Sequence, residues 1–189
     1  MASFDRSYFD EIYSDNPDPW GFESRWYEQR KYALTIAALP ETLYHSGFEP
    51  GCSVGVLTSL LAPRCEHLLA TEIVPSALAR AVDRLSGVDH VVFEHSAIPD
   101  SWPKGSFDLV VLSEIAYYFD VATLSEIIQR LTCSAVAGAT VVAVHWRGET
   151  NYPLTGDEAH RILHDSRALE PLVHHLERDF VLDVWRRRP

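Results

Sequence analysis

A seven-residue run, EPGCSVG at positions 49–55, decides the fold that this sequence predicts. The residues before it favour a short strand, and the apolar residues at positions 54–61 favour a helix after it. A second apolar stretch at positions 67–71 leads to Glu72, which lies 21 positions after Gly51. Glycines let the backbone turn tightly beside a ligand, and an acid about 20 residues further on accepts hydrogen bonds from ribose hydroxyls. The run therefore predicts a nucleotide-binding βαβ unit.

The spacing of the glycines distinguishes between nucleotide ligands. The run begins with an acid, Glu49, and lacks the Gly-x-Gly-x-x-Gly spacing of a dinucleotide site. An acid-x-Gly-x-x-x-Gly pattern favours S-adenosylmethionine, because that ligand has no pyrophosphate and carries a sulfonium and an ammonium group. Ser53 occupies the middle position of the usual glycine triplet, where its hydroxyl suits the cap of the following helix. A turn without any ligand is the alternative, since glycine tolerates positive φ wherever a chain turns.

Length, composition and charge limit the kind of protein. At 189 residues, the chain suits one domain with a sizeable core. Its formal net charge of -11 argues against nucleic-acid binding and favours a small cationic or amine-bearing substrate. The three cysteines lack the spacing of a disulfide framework or a zinc site, which fits a reducing cytoplasm. The sequence shows no secretory signal and no apolar stretch near the ~18 residues of a membrane span, so it predicts a cytoplasmic protein without a membrane partner.

Helical and strand patterns alternate along the chain after a first segment rich in aromatic and acidic residues. A helix is predicted at positions 24–39 and ends before Pro40. Residues 1–40 are therefore predicted to form a helical lid over a core of residues 41–189. The first core strand is predicted to end near Glu49, and six further strands are predicted at positions 68–72, 91–94, 107–112, 139–145, 172–176 and 180–185. Core helices are predicted at positions 54–61, 75–85, 121–133 and 156–163.

This alternation predicts an α/β fold with a doubly wound, Rossmann-like sheet of seven strands and helices on both faces. The last two strands flank a short turn at positions 177–179, which predicts an antiparallel hairpin at the end of the chain. Ligands of such sheets bind beyond the carboxyl ends of the central strands. Because several polar side chains fall at those ends, an enzyme site is predicted at that edge. The polar positions are Glu49, Glu72, residues 94–96, residues 113–114 and residues 145–147.

Several segments together resemble a known group of proteins. They are DPWGF at 18–22, YEQRKY at 27–32, EPGCSVGVLT at 49–58, FDLVVLSE at 107–114, Tyr117-Tyr118 and His145-Trp146-Arg147. Over roughly residues 8–165, the chain resembles class I S-adenosylmethionine-dependent methyltransferases, and within them the rhizobial nodulation protein S family. The resemblance implies the class I methyltransferase fold and S-adenosylmethionine as the cofactor. It also implies a role in oligosaccharide biosynthesis, because family members N-methylate the free amine of a de-N-acetylated chitooligosaccharide.

The resemblance also implies a cofactor site, residue by residue. Glu49 is expected near the amino-acid part of the cofactor, with the turn from Gly51 through Ser53 to Gly55 around it. Glu72 is expected on the ribose hydroxyls, where two charge-assisted hydrogen bonds can form. The residues implied around the ribose, the adenine and the transferred methyl group are Ile73, Ala97, Ile98 and Ser113, with a hydrogen bond to the adenine from Ser96 or His95. The Asp that many class members carry near the adenine has no counterpart here.

The lid is expected to contribute further cofactor contacts. The resemblance implies Trp20, Tyr27 and Arg30 for this role. Pairing of Arg30 with the cofactor carboxylate is one interpretation, and a structural ion pair with a nearby acid is an equal alternative.

Methyl transfer from a sulfonium needs a neutral nucleophile in line with the methyl group, so positioning supplies most of the catalysis. An amine must also lose its proton, and His145 is the first candidate base because the ordinary pKa of histidine lies near neutrality. Glu114 is the second candidate, with orientation of the incoming ammonium as its other role. A purely structural histidine at a strand end is an equal alternative for His145.

Aromatic residues near these two positions predict a platform for the substrate. Sugars and cationic amines both pack on aromatic faces, which favours Tyr117, Tyr118 and Trp146, with Arg147 beside them, as substrate-binding residues. Ordinary core packing is the alternative for the aromatic members. No metal site is predicted, because the histidine pair at positions 174–175 has no companion acid or Cys at ligand spacing.

Three other functions suit the same fold. A nucleotide-dependent oxidoreductase or NAD-binding module is disfavoured by the glycine spacing. A scaffold that binds no cofactor is disfavoured by Glu49, Gly51 and Glu72. Methylation of oxygen or sulfur in a small metabolite is not separated from N-methylation by the sequence, and the oligomeric state is equally undetermined.

Overall fold

A computed structural model describes residues 2–189 as seven strands in one sheet, six α-helices and two short 3₁₀ turns. Met1, the first residue of the predicted lid, lies outside the described residues. The strands are β1 (Tyr44–Pro50), β2 (Cys65–Glu72), β3 (Val91–His95), β4 (Phe107–Ser113), β5 (Ala135–Trp146), β6 (Leu169–Leu176) and β7 (Phe180–Arg187). The helices are α1 (Arg6–Asp15), α2 (Trp26–Ala38), α3 (Val56–Leu61), α4 (Pro75–Arg84), α5 (Val121–Ser134) and α6 (Gly156–His164), and the 3₁₀ turns are Ala62–Arg64 and Ala116–Tyr118.

The sheet confirms the predicted fold class. Its strand order is β3-β2-β1-β4-β5-β7-β6, in which β1 to β5 run parallel. Strand β7 pairs antiparallel with both β5 and β6, which gives the predicted hairpin. The chain leaves β1 toward β2 on one side and later returns to β4 on the other side. A crevice therefore opens between the carboxyl ends of β1 and β4, where ligands of such sheets bind.

Strand β4 illustrates why an apolar run forms the centre of this sheet. Leu109, Val110 and Val111 are fully buried, because helices cover both faces. On one face Val110 packs in a cluster with Leu124 of α5. On the other face Leu109 and Val111 pack in a cluster with Leu61 of α3. Burial on both faces explains the continuous apolar pattern of the strand.

Several element boundaries differ from those predicted, and each difference has a local cause. Helix α3 begins at Val56 rather than at position 54, because Gly55 adopts a left-handed conformation with φ of 77°. Strand β5 begins at Ala135, directly after α5, rather than at position 139. The hairpin strands are longer than predicted because their pairing extends to Leu169 opposite Arg187.

The segment before position 40 contains a helix, α1, that the sequence pattern does not predict. Asp5 caps it by accepting a hydrogen bond from the first turn at 2.9 Å. The segment contacts the core where Phe4 N–H donates to Tyr118 O at 2.9 Å and where the Tyr13 hydroxyl lies 2.5 Å from Ser53 Oγ. The division into a lid and a core stays a prediction. Within residues 2–189, no helix has the length and apolar character needed to span a membrane.

Candidate active site

A cavity of about 780 Å³ lies beyond the carboxyl ends of β1, β2 and β4 and is called the main cavity below. It brings together the glycine turn, the acid after β2, the segment after β3 and the end of β4. The sequence-predicted residues that line it are Trp20, Gly51, Ser53, Glu72, Ile73, Ser96, Ala97, Ile98, Ser113, Glu114 and Tyr118.

Glu72 ends β2 with a nearly buried carboxylate that faces the main cavity. One oxygen accepts from Ser53 N–H at 2.8 Å, and the other accepts from the N–H groups of Ile73 and Val74 at 2.9 Å each. Burial raises the pKa of Glu72, and these N–H donors act in the opposite direction. Since a carboxylate has about four acceptor positions, Glu72 holds the glycine turn and keeps capacity for a ligand.

The glycine turn needs glycine at two positions for geometric reasons. Gly51 and Gly55 have φ of 72° and 77°, a region that residues with a Cβ rarely adopt. A Cβ on Gly55 would also lie 2.9 Å from the Cα of Ala81 in α4. Gly51 lines the main cavity, whereas Gly55 lies against α4 and acts through the shape of the turn.

Glu49 lies one residue before the end of β1, and its side chain is buried. Within residues 2–189, its Oε2 atom has no hydrogen-bond partner. Burial raises the pKa of its carboxyl to about 8. It lines a small cavity of about 310 Å³ together with Gly51, Ser53 and Ser113. A buried, unpartnered acid of this kind favours a cationic ligand group, which would restore its ionised form.

Glu49→Gln is expected to weaken the pH dependence of stability in the ligand-free protein. Between the ordinary pKa of 4.5 and about 8, folded Glu49 keeps a proton that the unfolded chain releases. Because the folded state binds more protons there, Glu49 lowers the free energy of unfolding as the pH rises through this window. Across this window, the decrease in the free energy of unfolding should be smaller in the variant than in the wild type. The difference should be at least about 1.4 kcal/mol, the equivalent of one pKa unit. Urea unfolding at the two ends of the window measures this, and equal losses in both proteins would contradict it.

The segment after β3 forms the far end of the main cavity. Ser96, Ala97 and Ile98 line it as predicted. The Ser96 hydroxyl donates to Ser101 O at 3.0 Å, so its oxygen can still accept a hydrogen bond. Three apolar side chains complete this lining: Phe4 and Phe9 from the segment before position 40, and Phe119 directly after the second 3₁₀ turn.

A second cavity, of about 670 Å³, adjoins the main cavity and is called the aromatic cavity below. Three carboxylates line it, those of Glu28, Glu114 and Glu149, against one guanidinium, that of Arg25. Glu114 lines both cavities, so groups bound in the two would meet beside it. The aromatic lining includes the predicted platform and consists of Trp20, Phe22, Tyr117, Tyr118, Trp146 and Tyr152.

Glu114 directly follows β4, and its carboxylate accepts hydrogen bonds on both oxygens. One oxygen accepts from the Tyr117 hydroxyl at 2.6 Å and from Trp146 N–H at 2.9 Å. The other oxygen pairs with the ammonium group of Lys31. Lys31 is 1% exposed, and its Nζ also lies 2.7 Å from Glu28 Oε2. A largely buried Glu28–Lys31–Glu114 cluster thus connects α2 to the end of β4.

Glu28 and Lys31 are site residues that the sequence does not reveal as such. Burial lowers the pKa of Lys31, but the carboxylates of Glu114 and Glu28 outweigh burial and raise it. Burial raises the pKa of Glu28. Their spacing of three positions on α2 is typical of an ordinary helical ion pair. Nothing in the sequence brings Lys31 to Glu114, which lies 83 positions away.

His145 does not have the geometry of the predicted base. It is fully buried, and it lines neither cavity within the described part of the chain. Its Nε2 accepts from Ala116 N–H at 2.9 Å, and its Nδ1 lies 2.9 Å from His160 Nε2. Burial also lowers the pKa of His145 well below its ordinary value. Because both ring nitrogens are engaged, the structural alternative fits His145 and the role of base does not.

Besides Glu49 and Gly55, three other predicted site residues lie outside both cavities. Arg30 forms a two-point ion pair with Glu177 at 2.6 and 2.7 Å, which fits the structural alternative. Arg147 forms a similar pair with Asp157 at 2.7 and 2.9 Å, so its guanidinium is directed away from the aromatic cavity. The Tyr27 hydroxyl donates to a carbonyl of the hairpin turn at 3.3 Å. These side chains connect α2 to the turn between β6 and β7, and the end of β5 to α6.

The region that carries this site matches a known protein family. The family model described as Nodulation protein S (NodS) matches residues 11–144. The chain belongs to the nodulation protein S family. The matched region contains Glu72 of the main cavity, Glu49 of the small cavity and the whole Glu28–Lys31–Glu114 cluster.

Curated members of the NodS family are distant relatives of this chain. The nodulation S proteins of Rhizobium tropici and Bradyrhizobium diazoefficiens are 28% and 29% identical to it over 127 residues each, or 66% of the chain. These alignments cover 53% and 61% of the two relatives. The chain therefore spans little more than half the length of the curated relatives that it matches.

Solved structures reproduce the fold over nearly the whole chain. A Pseudomonas syringae protein described as a candidate methyltransferase is 41% identical, covers 86% of this chain over its full length and has a TM-score of 0.75. The N-methyltransferase NodS of Bradyrhizobium japonicum, solved with S-adenosylhomocysteine, is 22% identical, covers 98% of this chain over its full length and has a TM-score of 0.84. At that identity, the second likeness supports the fold alone.

Proposed function

We propose that this NodS-family protein is an S-adenosylmethionine-dependent methyltransferase that N-methylates an amine, such as the free amino group of an amino sugar or a chitooligosaccharide. The observation that carries the proposal is Glu114, which lines both the main cavity and the aromatic cavity. A methyl donor in the first cavity and an amine in the second would meet beside this residue. Membership of the nodulation protein S family supports the same donor and reaction, since a NodS protein described as an N-methyltransferase was solved with S-adenosylhomocysteine.

The main cavity suits S-adenosylmethionine because its polar groups match the parts of that molecule. Glu72 has acceptor capacity left for ribose hydroxyls. The unpartnered oxygen of Glu49 suits the ammonium group of the donor, because the small cavity that it lines shares Gly51, Ser53 and Ser113 with the main cavity. Ala97 and Ile98 offer apolar surface to the adenine. When bound there, the donor would supply a methyl group on a positively charged sulfur.

The aromatic cavity suits a cationic amine. Its three carboxylates outnumber the two cations beside them, Arg25 and the buried Lys31, and the whole chain has a formal net charge of -11. Both features attract cations and disfavour nucleic acid. Aromatic faces such as those of Tyr117 and Trp146 add favourable contacts to ammonium groups and to sugar rings. An amino sugar combines both kinds of group, which is why it is the preferred acceptor. A cytoplasmic location without a membrane partner belongs to the same proposal.

Glu28 is the best placed acceptor for the proton that the amine must lose. It lines the aromatic cavity, and burial raises its pKa, which makes it a better base than an exposed acid. The carboxylate of Glu114 instead accepts hydrogen bonds on both oxygens, which fixes its position and suits it to orient the amine. As the nitrogen–methyl bond forms, the sulfur–methyl bond breaks and S-adenosylhomocysteine leaves as a neutral thioether.

Calorimetric titration with S-adenosylhomocysteine, with NADH alongside, tests the donor half of the proposal. We expect the first compound to bind and the second not to bind. Binding of NADH alone would favour the oxidoreductase or NAD-binding alternative, and binding of neither would favour a scaffold. Mass spectrometry after incubation with S-adenosylmethionine then tests the acceptor, with glucosamine oligomers beside hydroxyl and thiol compounds. Methylation confined to a hydroxyl or a thiol would contradict the assignment to an amine.

Glu28→Gln is expected to lower turnover by about 100-fold, a typical contribution of one general base. Its affinity for S-adenosylhomocysteine should stay close to that of the wild type, because Glu28 does not line the main cavity. Glu149→Gln is the matched control, since it removes another carboxylate from the same cavity without touching Lys31. Equal turnover of the two variants would contradict the role of Glu28 as a base.

A further inference from the structure

A continuous chain of buried hydrogen bonds leads from the end of β7 to the loop that follows Glu114. Asp183 Oδ2 lies 2.5 Å from His160 Nδ1, and His160 Nε2 lies 2.9 Å from His145 Nδ1. His145 Nε2 in turn lies 2.9 Å from Ala116 N. Asp183, His160 and His145 are at most 3% exposed, so water does not compete for these bonds. All three side chains lie outside the residues that match the NodS family model.

The donor and acceptor in each of these hydrogen bonds follow from the bond at the Ala116 end. The N–H of Ala116 can only donate, so Nε2 of His145 carries no proton and the proton of the neutral ring sits on Nδ1. That proton points at Nε2 of His160, whose own proton must then sit on Nδ1. The His160 proton points at the carboxylate of Asp183, which accepts it. Two histidine tautomers are thus determined by one backbone N–H and one carboxylate.

The carboxylate of Asp183 has two further hydrogen-bond partners, His164 and His174. His174 Nδ1 lies 2.6 Å from Oδ1, and His164 Nε2 lies 3.1 Å from Oδ2. The indole N–H of Trp185 donates to His164 Nδ1 at 3.3 Å, so the His164 proton sits on Nε2 and points at Asp183. These atoms are close enough to suggest a cation site. A cation bound to Nε2 of His164 would force the ring proton onto Nδ1, where it would face the N–H group of Trp185. Hydrogen bonding to Asp183 is therefore favoured over cation binding.

The far end of the chain meets the backbone of the candidate active site. Glu114 has φ of 54°, a left-handed conformation that is uncommon for any residue except glycine. Such a conformation persists only where the surroundings hold it. Its N–H donates to Val144 O at 2.9 Å, and two residues later Ala116 N–H donates to His145. Strand β5 therefore holds both ends of the segment that aims the Glu114 carboxylate.

We propose that His145, His160 and Asp183 form a positioning relay that holds the 114–116 segment, so that the Glu114 carboxylate keeps its place between the two cavities. Its effect on methyl transfer rests on the proposed function, but the relay itself does not. The relay residues touch neither cavity and act only through the loop. Loss of the relay should therefore impair catalysis more than binding of the donor, since a small misplacement near the reacting atoms is costly.

Nitrogen-15 NMR of the imidazole rings tests the relay without any assay of activity. We expect both His145 and His160 to be neutral with the proton on Nδ1, and their ring N–H signals to exchange slowly with water. His174→Gln should leave both tautomers unchanged, because His174 contacts Oδ1 of Asp183, whereas His160 contacts Oδ2. A protonated Nε2 on His145, or a doubly protonated ring, would overturn the relay.

Three variants test its effect on catalysis. His160→Leu breaks the chain and is expected to lower turnover about 100-fold, with the affinity for S-adenosylhomocysteine changed less than about threefold. His160→Gln can accept from His145 and donate to Asp183, so it should restore most of the turnover. His174→Gln is the control and should behave as the wild type. If His160→Leu does not fold, Asp183→Asn, which keeps the shape but not the charge, should lower turnover in the same way.

The outcomes separate the relay from the proposed function. If the wild type is active and the variant that folds, His160→Leu or Asp183→Asn, has unchanged turnover, the relay is overturned. The proposed methyltransferase function would then still stand. An inactive wild type with the expected tautomers would overturn the proposed function and leave the relay as a structural device. An equal loss in His160→Leu and His160→Gln would overturn the hydrogen-bonding role of residue 160.

Discussion

Lys31→Met is expected to lower the free energy of unfolding by about 3–5 kcal/mol, the range for breaking a buried ion pair by removing one partner. The ammonium group of Lys31 lies between the carboxylates of Glu28 and Glu114, and its side chain is 1% exposed. Without it, two buried carboxylates would face each other with no positive charge between them. Methionine fills much of the same volume, so the expected loss reports the charge rather than a cavity. Urea unfolding at neutral pH measures it.

Two controls sharpen this prediction. Arg130→Met removes one partner of an exposed ion pair with Glu126 on α5, and it should cost at most about 1 kcal/mol. The double variant Lys31→Met, Glu28→Gln should recover part of the loss, because it leaves one unpaired carboxylate instead of two. A loss for Lys31→Met no greater than that for Arg130→Met would show that the cluster is effectively solvated.

Glu72→Ala is expected to weaken binding of S-adenosylhomocysteine by about 1.5–3 kcal/mol, which is about 10- to 150-fold. That range covers hydrogen bonds from the ribose to a charged group. The carboxylate also accepts N–H groups of Ser53, Ile73 and Val74, so its loss would loosen the glycine turn as well. The upper part of the range is therefore expected. Calorimetric titration measures the affinity directly.

The matched control for Glu72 lies at the same edge of the sheet. Glu94, in the adjacent strand β3, is exposed and does not line the main cavity, so Glu94→Ala should bind as the wild type does. Glu72→Gln should be intermediate, since its amide oxygen can accept a hydrogen bond but its amide nitrogen cannot. Unchanged affinity in Glu72→Ala would remove this residue from the cofactor site.

Patterns confined to short stretches of sequence made most of the fold predictable. The apolar run of β4 is continuous because both of its faces are covered, and that pattern is visible without any structure. The glycine turn and Glu72 were recognisable for a similar reason. The required backbone conformations allow few residue types, and one helix separates the turn from the next strand.

Local patterns failed where distant packing decides the structure. Helix α1 is only ten residues long and rich in aromatic and acidic residues, and contacts such as Phe4 N–H to Tyr118 O hold its segment against the core. The same limit explains His145. Its place at the end of β5 was predictable, but its burial and its bonds to Ala116 and His160 depend on how α6 packs against the sheet.

The sequence by itself determined the α/β class, the C-terminal hairpin, the position of the glycine turn and the acids at the strand ends. These features depend on periodicity and on backbone constraints that act over a few residues. Only the tertiary structure decided that Lys31 pairs with Glu114, that Arg30 pairs with Glu177, and that Asp183 leads through two histidines to the loop after β4. The order of strands brings these residues together, and buried charges must then find partners among whatever side chains that order provides.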